Sequence, residues 1–173
     1  MDSNKRSFQK IPSLIGIILV VYIIFISPSR AYASLDKSIV EEGLEYIRSM
    51  ESLRDLDSQT WQVVVYKQGR PKGSTALRIV GYPGKLRIDH PLSLNVEAGR
   101  REWSLEDITD ENIKLINDPR EAAAEFELEP LLLDLTNNRP LRLKLAGVFN
   151  ELPIPPYVVS EWRSILNSDL NTL

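Results

Sequence analysis

Apolar residues recur at every second position through the middle of this chain, and this alternation constrains the fold more than any other feature. In TWQVVVYK, Trp61, Val63 and Val65 share one face, while Gln62, Val64 and Tyr66 share the other. TALRIVGY repeats the pattern with Leu77 and Ile79, KLRIDH with Leu86 and Ile88, PLSLNV with Leu92, Leu94 and Val96, and RPLRLKLAG with Leu141, Leu143 and Leu145. Successive strand side chains point to opposite faces, so each run has one apolar face to bury. The connections carry turn residues. QGRPKGS makes a hairpin of the first two runs, Tyr82-Pro83-Gly84 is a turn, and EAGR leads into one more strand, REWSL, with Trp103 and Leu105 on one face. Strands of this kind build an antiparallel sheet packed on one side. The expected class is α+β, mainly antiparallel β, as a twisted sheet or partly open barrel.

Helical spacing appears near both ends of this β-rich part. In SIVEEGLEYIRSM, Val40, Leu44 and Ile47 lie a turn apart, with Ser38 and Glu41 as a capping box, which predicts a helix over 38–50 despite Gly43. PYVVSEWRSIL predicts a C-terminal helix with Val158, Trp162, Ile165 and Leu166 on its packed face and Pro156 in its first turn. The prolines of ELPIPP keep the preceding segment extended. EDITDENIKLINDP is charged and irregular, with a short helix expected near 112–116. REAAAEFELEPLLLDL is rich in helix formers, but Pro130 splits it, so two short helices are expected.

The first 33 residues read as an address. Lys5, Arg6 and Lys10 precede an apolar run from Leu14 to Ile26, and SPSRAYA follows it. A positive start, an apolar centre and a small-x-small end make a secretory signal, cut after Ala33 with Ala31 and Ala33 as the small residues. The rival is an uncleaved membrane anchor. The run has 13 residues and spans about 20 Å as a helix, short of a hydrocarbon core of ~30 Å. Cleavage is therefore favoured, and membrane contact is expected only through residues 11–26 if the segment is kept. The basic residues stay on the cytoplasmic side in either case. No twin-arginine pair is present, which favours the Sec route, and no Cys follows the run, which excludes a lipoprotein. The organisation expected is a signal or anchor over 1–33 and one exported domain over 34–173.

Composition narrows the chemistry. Residues 34–173 hold 17 Lys and Arg against 23 Asp and Glu, the wrong sign for a nucleic-acid footprint. The chain has no Cys, so disulfides, thiol catalysis and thiolate metal sites are ruled out. His90 is the one histidine. A functional reading pairs it with Asp89 or another carboxylate as a base. The plainer reading is a strand-end residue before Pro91, since adjacent strand residues face opposite ways. Ser74 lacks the glycine-flanked elbow of a nucleophile. Asp107, Asp110, Glu111 and Asp118 do not follow calcium-loop spacing and read as a solvated acidic face. Glu127 and Glu129 carry no specificity as a carboxylate pair. No catalytic set, metal or cofactor is expected. Trp61 and Trp162 read as core and Trp103 as evenly balanced between core and surface. Ile154, Pro155 and Tyr157, at the entry to the last helix, are the expected protein-contact residues.

SLRDLDSQTWQ, IVGYPG with RIDHPLSL, ELEPLLLDL with RPLRLKL, and LPIPPYVVSEW, taken in that order, resemble a cyanobacterial family of small exported proteins of unknown function. The resemblance covers roughly residues 44–162. It implies a photosynthetic bacterial host and the periplasm or thylakoid lumen as destination, and it brings no activity with it. Three functions follow as expectations: a non-enzymatic binding or assembly module that meets another exported or membrane protein, a carrier of a small apolar ligand with an apolar pocket within its sheet, and a hydrolase using His90. The first is favoured.

Overall fold

The computed structural model describes residues 34–41, 44–68, 74–82, 87–111 and 122–168. Nine strands lie among them: β1 (Ser34–Glu41), β2 (Leu44–Arg54), β3 (Thr60–Gln68), β4 (Thr75–Val80), β5 (Leu94–Ala98), β6 (Arg101–Leu105), β7 (Ala123–Glu127), β8 (Leu141–Leu145) and β9 (Phe149–Ile154). They pair antiparallel into a five-stranded sheet, β1-β2-β3-β4-β7, and a four-stranded sheet, β6-β5-β8-β9. Two helices accompany them, α1 (Glu129–Asp134) and α2 (Pro156–Leu166). The mainly antiparallel α+β class read from the alternation is the one observed, and neither sheet closes into a barrel.

The alternation sets the faces. Val65, Leu77 and Phe126 lie side by side across β3, β4 and β7, as do Val63, Ile79 and Ala124 one row along. Each of these six residues is at most 1% exposed. On the smaller sheet Leu94, Val96, Leu141, Leu143 and Leu145 are equally buried. Both inner faces join α1 and α2 in one apolar core. Trp61 packs edge-on against Phe149 with ring centroids 5.0 Å apart. Gly99 turns β5 into β6 with φ +67°, a conformation that glycine adopts without Cβ strain.

α2 forms as its pattern requires. Val158, Val159, Trp162 and Ile165 are buried, and Pro156 sits in the first turn, where its missing N–H costs nothing. Side chains of the sheet then fix the helix. Ser49 Oγ donates to Glu161 Oε2 at 2.8 Å. Lys67 Nζ donates to the carbonyls of Leu166 (2.8 Å) and Ser168 (3.1 Å). Those carbonyls lack partners within the helix, and a cation suits that end of the helix dipole.

Three expectations need correction. The helix predicted over 38–50 is the β1–β2 hairpin, in which Glu41 pairs with Leu44. Along β2, Ile47 and Ser49 are buried between the more exposed Arg48 and Met50, which is a period of two. The helical spacing of Val40, Leu44 and Ile47 is a coincidence that the sheet overrides. The first of the two helices predicted in REAAAEFELEPLLLDL is strand β7, in which every residue from Ala123 to Phe126 is buried; only the second, α1 with Pro130 in its first turn, forms. Residues 87–90 make no strand, although Ile88 is buried at 3%. ELPIPP is extended as expected, and its residues Glu151–Ile154 are paired as part of β9, an edge strand. A sheet edge tolerates Pro153 because no ladder hydrogen bond is asked of its nitrogen. Leu86 and the helix expected near 112–116 lie outside the described residues. So does the apolar run Leu14–Ile26; among the described residues no helix is long and apolar enough to cross a membrane.

Candidate functional site

Two places gather the side chains singled out in the sequence. The first is the corner where β9 enters α2. Ile154 is not exposed there: it is 1% accessible and pairs with Leu141 on the buried face of the four-stranded sheet. Strand alternation turns Leu152 and Ile154 inward together, so Ile154 is withdrawn from the contact set. Pro155 is half-buried, and Tyr157 is 44% exposed. Tyr157 is held outward because its neighbours Val158 and Val159 are at 0% and fix the helix rotation. Glu51 of β2 and Glu161 of α2 lie close enough to act on each other and on the phenol. Partial burial and then the Glu161 charge raise the Glu51 carboxyl above its ordinary range. Partial burial, Glu51 and Glu161 likewise raise the Tyr157 hydroxyl. The corner is thus an aromatic ring and a proline on an acidic border, carried by a rigid helix.

The second place is a polar network that runs from His90 onto the outer face of the five-stranded sheet. Asp107 was read as part of a solvated acidic face; its side chain is instead only 3% exposed. Its Oδ2 accepts from His90 Nδ1 and from the Leu92 N–H, both at 2.8 Å. Its Oδ1 accepts from the Thr109 N–H (3.0 Å) and Thr109 Oγ1 (2.5 Å). Burial alone would raise this carboxyl, but the bonds from His90, Thr109 and Leu92 hold it below the ordinary carboxylate range. An ionised carboxylate can only accept, so His90 Nδ1 carries the proton of this hydrogen bond. Asp89 plays no part: it is exposed and accepts from Arg87 at 3.2 Å.

Thr109 passes the connection on. Its hydroxyl accepts the Glu125 N–H at 2.9 Å while donating to Asp107. The Glu125 side chain, 5% exposed, binds Arg78 through Nη2 at 3.0 Å and Nε at 3.2 Å, and it also accepts from the Tyr66 hydroxyl. The Arg78 guanidinium lies 5.3 Å from the Tyr66 ring centre. Burial first, and then Glu125, push the Tyr66 hydroxyl well above its usual range. The partners come from positions 66, 78, 90, 107, 109 and 125, so no local motif announces them. The signal available in the sequence was weak: a Glu embedded in the apolar run AAAEF.

A third constellation accounts for the motif RDLDSQTW. Asp55, 6% exposed, closes the β2–β3 turn. Its Oδ1 accepts the Gln59 N–H and its Oδ2 accepts Trp61 Nε1, each at 2.8 Å. Trp61 and Trp162 are core, as read from the sequence, at 0% and 1%. Trp103 is half-buried and donates to Asp134 Oδ2 at 2.8 Å, with Arg101 stacked 5.0 Å from its ring centre. Glu127 and Glu129 do not act as a pair; Glu129 instead accepts the Thr75 N–H at 3.3 Å. Ala31 and Ala33 lie outside the described residues.

No curated protein and no solved structure matches this chain. Residues 33–165, from the residue before β1 into the last turn of α2, match the family described as "Protein of unknown function (DUF3122)", and the chain belongs to that family.

Proposed function

We propose that this chain is an exported, non-enzymatic binding or assembly module. Residues 1–33 deliver it across a cyanobacterial membrane, and it works in the periplasm or thylakoid lumen against another exported or membrane protein. The observation that carries the reading is the β9–α2 corner: a tyrosine 44% exposed beside Pro155, on a helix whose opposite face is locked in the core. Aromatic side chains of this kind, rigid and amphipathic, dominate protein contacts. A cut after Ala33 is compatible with the domain, because the released chain would begin at Ser34, the first residue of β1. The carrier reading is weakened by the filling of the core, where Trp61, Phe126, Leu143 and Trp162 are all at 1% or less.

The test is a photo-crosslinking residue at position 157 in cells of the native host, with position 133 as a second exposed site. One dominant adduct from 157, with an exported or membrane protein that Tyr157→Ala no longer co-purifies, is the expected result. Equal labelling from both positions, or none, removes the reading. The hydrolase reading rests on one observation, the Asp107-oriented imidazole of His90. Among the described residues no hydroxyl is hydrogen-bonded to that ring. A folded His90→Gln protein that loses its cellular role would move the proposal to catalysis.

A further inference from the structure

An open groove of about 700 Å³ lies between residues 137–142 and the outer side of β9, with Gly99 at one end. Its side chains are donors with little to donate to. Arg139 is exposed, and its Nε is bound to Asn137 Oδ1 at 2.8 Å, which orients the guanidinium. Arg139 Nη1 lies beside Gly99, where even a Cβ would clear it by 3.7 Å. Arg142 projects from β8 and is exposed; its guanidinium has no partner among the described residues. Asn138 Oδ1 accepts from Arg163 Nη1 at 2.6 Å. Arginine can only donate, so both asparagines spend their oxygens on arginines and keep their NH₂ groups for something else. The opposing acceptor is the half-buried carboxylate of Glu151.

We infer that this groove binds a small oxyanion that also carries a hydroxyl, such as a hydroxycarboxylate or a phosphate ester. Two planar arginine forks match carboxylate and phosphate oxygens in paired hydrogen bonds. The asparagine NH₂ groups add donors for the same oxygens, and Glu151 accepts from the hydroxyl. The volume suits a small molecule. An extended peptide is disfavoured, because β9 offers it little main chain. Pro153 has no N–H, and the Glu151 carbonyl already accepts the Leu56 N–H at 3.2 Å. A polyanion is disfavoured by the excess of 23 acidic over 17 basic residues in 34–173. This inference is independent of the docking reading.

Calorimetric titration of the full chain with inorganic phosphate and with citrate, at ionic strength fixed by sodium chloride, tests it. Saturable one-to-one binding of at least one probe is expected. R139Q/R142Q should weaken it by about tenfold or more, with the melting temperature unchanged since both residues are exposed. Glu151→Gln removes the acceptor for the hydroxyl and should weaken both probes a few-fold, with the melting temperature unchanged. Tyr157→Ala should bind like the parent, so failure here and failure of the docking reading are distinguishable. The inference is overturned if neither probe saturates, if R139Q/R142Q binds as tightly as the parent, or if a short glutamate-rich peptide binds and both probes fail.

Discussion

Removing the Asp55 carboxylate tests whether the β2–β3 turn is held by the tryptophan beneath it. Asp55 accepts two hydrogen bonds of 2.8 Å, from Trp61 Nε1 and the Gln59 N–H. The two donors differ in what happens when it goes. Gln59 is exposed, so water can replace the carboxylate there; Trp61 is at 0%, so its indole N–H is left buried without a partner. An orphaned buried donor costs ~1–3 kcal/mol, and bonds to a charged acceptor contribute ~1.5–3 kcal/mol each. Asp55→Ala should therefore cost about 2–3 kcal/mol once water has repaired the Gln59 side. Asp55→Asn should cost less, about 1–2 kcal/mol, because its oxygen can turn to Trp61 and its NH₂ to the wet side. In a Trp61→Phe background the buried donor is gone, and Asp55→Ala should lose about 1–2 kcal/mol of its effect as coupling. Urea unfolding of the four proteins of that cycle measures it, read as midpoints at constant slope. Additive effects within about 0.5 kcal/mol, or an Asn variant worse than Ala, would refute the reasoning.

Trp162→Ala, at a 1% exposed position, should destabilise the domain by ~3–5 kcal/mol. Tyr157→Ala should stay within about 0.5 kcal/mol; thermal melts of the pair would show the reverse order if the helix faced the other way. Asp107 titrates below its unfolded value, so its contribution is full above the unfolded carboxyl pKa and is lost as pH falls through the folded one. Asp107→Asn should be less stable than the parent at neutral pH, and the gap should close as pH falls below about 4. A gap that stays constant down to acid unfolding would mean that the carboxylate is not ionised in the fold.

What could be read from the chain was whatever a single element decides by itself. The leucines of β8 and the stripe of α2 bury as spaced, because one sheet face and one helix face each meet the core. β2 was misread because one of its two buried positions among the described residues is polar. Ser49 faces α2 and binds Glu161, 112 positions away, so the apolar alternation that marks a strand is broken by a partner that no local window contains. β7 was misread for the opposite reason: alanines favour helices when exposed, but here both faces of the strand are covered. Asp107 was hidden at shorter range: its role depends on His90, 17 positions earlier, being folded beside it and Thr109. At the contact corner, Tyr157 followed from the helix pattern. Ile154 did not, because the prolines around it masked a period-two strand.

The Lys67 and Ser49 bonds to α2 have a consequence for the order in which the chain can fold. Lys67 reaches carbonyls 99 and 101 residues further on, and α2 packs against β2 and β3. The first hairpins are complete long before that helix exists, so during synthesis they hold an uncovered apolar surface that invites aggregation. The last turn of α2 is therefore the closing step for the earliest strands. A chain that stops before Pro156 lacks the share of the common core that Val158, Val159, Trp162 and Ile165 supply, however well its own strands are paired.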